Sequence, residues 1–481
     1  MRSVQGCGVL NVPEKHRAPG AALKRAGFLQ TQGLQKYMYT WRNEMSLTQK
    51  KYQIDTPENR EFLKANAEDL LRFGHRFPSP EGGSYYLGDD GTPWKDRSRE
   101  TWITARMCHV YSLGVLLGHP GSEELADAAL RGLRGELHDT VNGGWYSGRT
   151  AEGGILPSKQ CYAHAFVILA ASSAVLAGRP GAQELLDEAF ALYDKRFWNE
   201  EEGLSCDTWN TAFTELDSYR GLNANMHTVE AFLAASDVTS DPKYRVRAGR
   251  IIDQVLVWAS ENDWRIPEHY SSDWKPDLMC NIEKPDDPFK PFGATPGHGI
   301  EWARLITQWA LSAFGVACAA SEGEKADDCP LASAVRYRTQ MGAAQYLDAA
   351  EHLFDRAVSD AWNADGAPGI VYTTDWEGKP VVHDRMHWTL AEAINTSAVL
   401  YHVTGKASYS ALYEEFMHYL DTTVMDHVNG SWFHQLDRNN HLLTTVWPGK
   451  SDLYHALQAM LIPCYAADLS IAVAVKQGKK I

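Results

Sequence analysis

Two short stretches of the chain set an imidazole and a carboxylate three residues apart: His227-Thr228-Val229-Glu230 in NANMHTVEAF and His298-Gly299-Ile300-Glu301 in TPGHGIEWAR. Residues three apart on a helix share a face, and a carboxylate beside an imidazole fixes its tautomer and raises its basicity. Such pairs are equipment for moving protons. A third candidate is His455 in WPGKSDLYHALQ, where Pro448-Gly449 forms a turn, Ser451 or Asp452 caps a helix, and Tyr454-His455 opens it. The chain holds 18 histidines, and most histidines in any fold simply pack or meet solvent; two matching pairs lift these above that background. Paired His/Glu segments also occur in carboxylate–histidine metal sites, but those need partner Glu-x-x-His segments to bridge the metal, and no matching pair of them stands out. Nucleophile-elbow, dinucleotide and phosphate-loop signatures are absent. Abundant Asp and Glu leave paired-carboxylate glycoside hydrolysis open as a competing chemistry.

The three histidines lie far apart in the chain, so only tertiary structure can unite them. Helical patterns joined by short Gly/Pro/Asn turns run from about Glu58 to the end. The stretch LLGHPGSEELADAALRGL (Leu116–Leu133) is echoed by LAGRPGAQELLDEAFALY (Leu176–Tyr193), each reading as helix end, Gly-x-Pro-Gly turn and helix start. DTVNGGWY (Asp139–Tyr146) is echoed by DHVNGSWF (Asp426–Phe433), where Asn-Gly or Gly supplies the positive φ of a tight turn before a short extended piece. A two-helix repeat of about 55–60 residues fits roughly seven times after Met45. This predicts an all-α (α/α)6 barrel, a closed toroid of helix hairpins with short β pieces in the connecting loops. Residues 45–481 are expected to form one catalytic domain, with Ala319–Thr339 a surface insertion. Residues 1–44 carry seven Lys/Arg against two acids and read as a disordered extension or a mis-assigned start, with Met45 the alternative beginning.

The 481 residues are 44% hydrophobic, enough for a large core, and carry a formal net charge of -15, which disfavours nucleic acid and anionic membranes as partners. No stretch reaches the roughly 20 apolar residues of a membrane span. Eight scattered cysteines show neither CxxC spacing nor a disulfide framework, consistent with reduced thiols and a cytoplasmic location. Nothing in the chain excludes a homo-oligomer.

The segments TWITARMCHVYS, ILPSKQCYAHAF, GLNANMHTVEAF, FGATPGHGIEW and TTVWPGKSDLYHALQAMLIP resemble the N-acylglucosamine 2-epimerase superfamily, and within it the aldose–ketose isomerase branch. The resemblance runs from about Phe73 to Leu469. It implies the (α/α)6 barrel, a monosaccharide substrate of the mannose type converted to its 2-ketose through a cis-enediol, and no cofactor or metal. It also implies roles: His298 and His455 as the catalytic histidines, with Glu301 supporting His298. Trp102, Arg106, Tyr162, Asn223, Met226, His227 and Trp388 would bind substrate. Sulfoquinovose isomerisation and 2-epimerisation are the competing activities of the same superfamily. The sulfonate-binding positions of the former fall here at Pro288, His434 and Ser451, with only Lys290 as a nearby cation. A sulfonate without its charge-assisted donors loses roughly 1.5–3 kcal/mol per bond, so an uncharged C6 hydroxyl, as in mannose, or the shorter lyxose, is the expected fit.

Overall fold

Six helices are buried almost all round and six are buried on one face, and that difference sets the architecture. A computed structural model of the chain describes residues 50–315 and 342–481. The expectations for residues 1–44 and for Ala319–Thr339 lie outside the described residues. Among the described residues thirteen α-helices occur: α1 (Pro57–Phe73), α2 (Thr101–Leu116), α3 (Ser122–Arg134), α4 (Cys161–Leu176), α5 (Ala182–Arg196), α6 (Leu222–Thr239), α7 (Pro242–Glu261), α8 (Pro296–Phe314), α9 (Ala343–Ala361), α10 (His387–Thr404), α11 (Ala407–Tyr419), α12 (Tyr454–Leu461) and α13 (Ile471–Gln477).

The even-numbered helices have no polar stripe; α2, for instance, buries every residue from Thr101 to Gly114. A helix apolar all round belongs inside. The odd-numbered helices through α11 are amphipathic: α3 buries Ala126, Ala129, Leu130 and Leu133 and exposes Glu123, Glu124 and Arg131. Packing follows this division. Each inner helix contacts the next, α2–α4–α6–α8–α10–α12, and α12 returns to α2 to close the ring. Each also pairs with an outer helix, α2 with α3 through α10 with α11, while α12 takes α1 from the start of the described chain. This is the expected (α/α)6 barrel. The repeat fits six times rather than seven, because the stretches before α8 and α10 hold long connections in place of another hairpin.

The inner helices share one direction, so their N-termini gather at one end. Four of them start directly after a two-residue strand, at Arg99–Glu100, Lys159–Gln160, Arg220–Gly221 and Arg385–Met386, and these strands pair with neighbouring loop strands to frame the mouth. At the opposite end α13 packs across α2, α4 and α6.

The two Asn-Gly echoes fold alike. Asp139 accepts from the backbone N–H groups of Val141 and Asn142 and from Lys159 Nζ at 2.9 Å, and Lys159 Nζ also donates to the Gly143 carbonyl at 2.6 Å. Asp426 repeats this with Val428, Asn429 and Lys450 Nζ at 2.7 Å, and Lys450 Nζ donates to the Gly430 carbonyl at 2.6 Å. Both lysines are fully buried. Lys450 also exchanges backbone hydrogen bonds with Leu87. Next to it Gly449 has φ 74°, and a Cβ there would sit 2.2 Å from the Leu87 carbonyl oxygen, so only glycine fits. This knot fixes the segment that leads into α12.

Removing one partner of a buried ion pair leaves an uncompensated charge. Lys450→Met is therefore expected to lower unfolding stability by about 3–5 kcal/mol in urea titration, and Lys159→Met by a similar amount. A loss under about 1 kcal/mol would show that the knots do not hold the loops.

Candidate active site

The first turns of all six inner helices line one cavity. Trp102, Tyr162, Asn223, Trp388 and His455 are each the second residue of their helix, and His298 is the third of α8. Arg106, His227 and Glu301 line it from slightly deeper. The barrel thus brings together every sequence-predicted site residue except one. Met226, although three residues from Asn223, is fully buried in the hydrophobic core and does not line the cavity.

The two histidines expected to be catalytic both lie near one aromatic ring. The Trp388 ring lies 5.0 Å from that of His298 and 5.9 Å from that of His455. Its approach depends on Gly297, where a Cβ would fall 2.7 Å from the indole. His455 Nδ1 lies 3.1 Å from Glu392 Oε1, and His298 Nδ1 lies 3.0 Å from Glu268 Oε1. A carboxylate oxygen accepts the Nδ1 proton, leaving Nε2 of each ring as the lone pair without a protein partner among the described residues. Burial, with the Arg106 charge beside it, holds His455 well below the usual imidazole range.

The carboxylates do not pair as the His-x-x-Glu spacing suggests. Glu301 was expected to support His298, but that role belongs to Glu268, from the loop before α8. His298 sits in the first turn and leans toward this loop, whereas Glu301 points deeper. Its oxygens lie 3.9 Å from His227 Nδ1 and 3.6 Å from Arg304 Nη2. His227 does approach Glu230, at 3.6 Å, longer than a good hydrogen bond.

Beneath the cavity lies a charged layer. Arg304 Nε donates to Glu392 Oε2 at 2.7 Å, and its Nη2 lies 4.0 Å from Glu230. Glu230 accepts a short hydrogen bond from the Tyr454 hydroxyl and another from Gln458 Nε2 at 3.3 Å. One guanidinium thus serves three buried carboxylates. Burial and the Glu392 charge push Glu301 well above the usual carboxylate range, and neither of its oxygens has a hydrogen-bond partner. Glu230, which burial alone would raise, is instead held low by His227 and Arg304. His227, Glu230 and Glu301 are close enough together to hold a cation. The Arg304 guanidinium already supplies positive charge to both of those carboxylates.

On the opposite wall Arg106 Nη1 donates to Asp452 at 3.2 Å and Nη2 to the Tyr162 hydroxyl at 2.8 Å. Its guanidinium rests 4.9 Å from the Trp102 ring and 4.4 Å from Phe166. The N-cap of α12 is Leu453 rather than the expected Ser451 or Asp452, and Asp452, one residue before it, accepts from the Tyr454 N–H at 2.9 Å. Pro288, His434 and Ser451 all line the same cavity, together with Phe289, Pro291, Tyr372, His387 and Trp447. Lys290 is not among them: its Nζ stands over the Tyr219 ring, 3.6 Å from the centroid.

Two imidazoles with open Nε2 atoms, an arginine and a tryptophan-walled cavity at the positive ends of six helices make an acid–base site for a small polar molecule whose negative charge grows during reaction. Fold and site together define an acid–base enzyme of the (α/α)6-barrel class. The chain matches the N-acylglucosamine 2-epimerase (GlcNAc 2-epimerase) family over residues 82–327 and 331–459, and it belongs to that family. It is 39% identical over 423 residues to a D-mannose isomerase of Pseudomonas cannabina pv. alisalensis, covering 88% of this chain and 96% of that protein. It is 40% identical over 420 residues to a D-mannose isomerase of Thermobifida fusca, covering 87% and 97%. A crystal structure of a D-mannose isomerase superposes with a TM-score of 0.73 at 27% identity, over 85% of this chain and 99% of that one.

Arg304→Met strips the cation from three buried carboxylates and is expected to cost about 3–5 kcal/mol at pH 7.5. The orphaned carboxylates then have folded-state pKa values above their unfolded ones, so the folded variant binds more protons than the unfolded chain and gains stability as pH falls. Urea unfolding of the variant and parent should therefore show a smaller penalty at pH 5.5 than at 7.5. An equal penalty at both would contradict the shared-cation layer.

Proposed function

We propose that this chain isomerises D-mannose and D-fructose, with His455 carrying the proton between C2 and C1. The observation that carries the reading is that two histidines with unbonded Nε2 atoms lie 5.0 and 5.9 Å from one Trp388 ring, each with its Nδ1 resting on a buried carboxylate. Its two mannose-isomerase relatives at 39% and 40% identity support the choice of sugar.

After the pyranose opens, the C1 carbonyl acidifies the C2–H bond. His455 Nε2 removes that proton, the C2–H electron pair becomes the C1–C2 double bond, and the carbonyl electrons move to O1. His298 Nε2, on a ring 5.0 Å from that of Trp388, passes a proton from O2 to O1. Collapse of the enediol then forms the C2 carbonyl while the His455 imidazolium returns its proton to C1. One neutral imidazole suits both directions, since it is a base at rest and an acid once loaded. Arg106, fixed by Asp452 and Tyr162, donates toward the growing oxyanion, as do the inner-helix N-termini. Asn223 Oδ1 is buried without a partner and is open to a sugar hydroxyl.

Purified protein given D-mannose should form fructose. His455→Ala should lower kcat by at least about a thousandfold with little change in KM, and His298→Ala should lower it by about a hundredfold. EDTA should leave the rate unchanged. Glucose as the main early product would make the chain a 2-epimerase. Turnover of sulfoquinovose but not mannose would move it to that sibling activity. Because burial holds His455 low, its base form persists below pH 6.5, so kcat/KM should stay level from pH 8 to 6 and fall only at more acid pH. A half-loss near 6.5 would contradict the depressed base.

A further inference from the structure

A second cavity, of about 40 Å³, shares Glu230 and Arg304 with the charged layer and no lining residue with the cavity of the histidines. All six inner helices reach it, through His109, Ser173, Glu230, Arg304, Val399 and Gln458. The segment from Tyr465 to Ala472, which runs into α13, lines it as well. His109, Glu230, Arg304 and Gln458 are each more than nine-tenths buried.

Three of these residues carry a polar atom with no hydrogen-bond partner among the described residues: His109 Nε2, Gln458 Oε1 and Arg304 Nη2. Their other contacts fix what each atom offers. Ser173 donates its one hydroxyl proton to the Leu169 carbonyl at 3.0 Å, so it accepts from His109 Nδ1 at 2.7 Å. The His109 proton is then on Nδ1, and Nε2 is a lone pair. Burial holds this ring at about 4, so it stays neutral near pH 7. Gln458 turns its Nε2 to Glu230 at 3.3 Å, which leaves Oε1 as an acceptor. Arg304 Nη2 stands 3.6 Å from Glu301 and 4.0 Å from Glu230, both beyond hydrogen-bond reach, and is a charged donor.

Two acceptors, a cationic donor and the Glu230 carboxylate decide what fits. A cation would meet the guanidinium, and an anion would meet the carboxylate and two lone pairs. A molecule with O–H groups satisfies all three atoms. At roughly 10–15 Å³ for each water, the volume takes about three. Folded proteins rarely keep buried polar atoms unpaired, and waters bridge such atoms nearly as well as direct bonds do.

We propose that this cavity is a binding site for a cluster of about three ordered waters, which donate to His109 Nε2 and Gln458 Oε1 and accept from Arg304 Nη2. The cluster hydrates the guanidinium that three carboxylates share, which reduces the desolvation that so deep a charge suffers. It also makes Gln458 a positioning residue, held by water and Glu230 three residues beyond His455 on α12.

A crystal structure of the parent, at a resolution that orders surface waters, should show about three waters here. At least one should lie within about 3.2 Å of two of the three atoms. Oxygen-17 magnetic relaxation in solution should count correspondingly fewer long-lived waters in His109→Phe, which removes the acceptor and adds bulk. His109→Gln, whose amide keeps an acceptor, should retain them. For mannose, His109→Phe should lower kcat about fivefold with KM within twofold, and His109→Gln should recover most of that loss. A cavity without ordered water in the parent, or equal water counts in parent and His109→Phe, would overturn the site. Equal kcat in the parent and His109→Phe would overturn the positioning role of Gln458. If the parent fails to turn over mannose, the isomerase reading falls, and the crystal structure and the water count still decide the site.

Discussion

A single guanidinium, that of Arg304, underlies the whole site. It holds Glu392 by a 2.7 Å hydrogen bond and stands within 4.0 Å of Glu230 and Glu301. Glu392 in turn orients His455, and Glu230 anchors Tyr454 and Gln458 on the same short helix. Ionic groups placed this deep contribute little net stability, because desolvation offsets their attraction. What they contribute is position: His455 cannot rotate without breaking a chain of buried hydrogen bonds. The barrel supplies the complementary half, since six inner helices of one direction bring their first turns to one cavity.

Much of the fold is legible in the sequence. The paired Gly-x-Pro-Gly turns and the Asn-Gly echoes mark real repeats, and Gly121 and Gly181 take matching left-handed conformations before α3 and α5. The number of repeats is less legible, because the long connections before α8 and α10 carry no helix-hairpin signature. In the site, the histidines and the first-turn aromatics are legible because each opens an inner helix just after a turn or short strand. Their carboxylate partners are not. Local spacing proposes His298 with Glu301, while the barrel supplies Glu268 from a loop and Glu392 from a neighbouring helix. The available signal is subtler: Glu230, Glu301, Arg304 and Glu392 are charges inside otherwise apolar helices, and such charges must find one another. Met226 shows the opposite error, a residue adjacent to the site in sequence but turned into the core.

Substrate choice follows from what the cavity lacks in charge. Positions Pro288, His434 and Ser451 converge on it as the sequence comparison of the superfamily branches implies, and Lys290 is held away over Tyr219. The arginine that remains, Arg106, is paired with Asp452. An uncharged sugar end therefore meets aromatic faces and neutral imidazoles.

The account centres on His455 being a neutral base with its proton on Nδ1, facing Glu392. Nitrogen-15 side-chain NMR of the resting protein at pH 7 reads this directly. A neutral ring protonated at Nδ1, with Nε2 unprotonated and a midpoint well below 6.5 on titration, is the predicted result. An imidazolium at pH 7, or a neutral ring carrying its proton on Nε2, would contradict it.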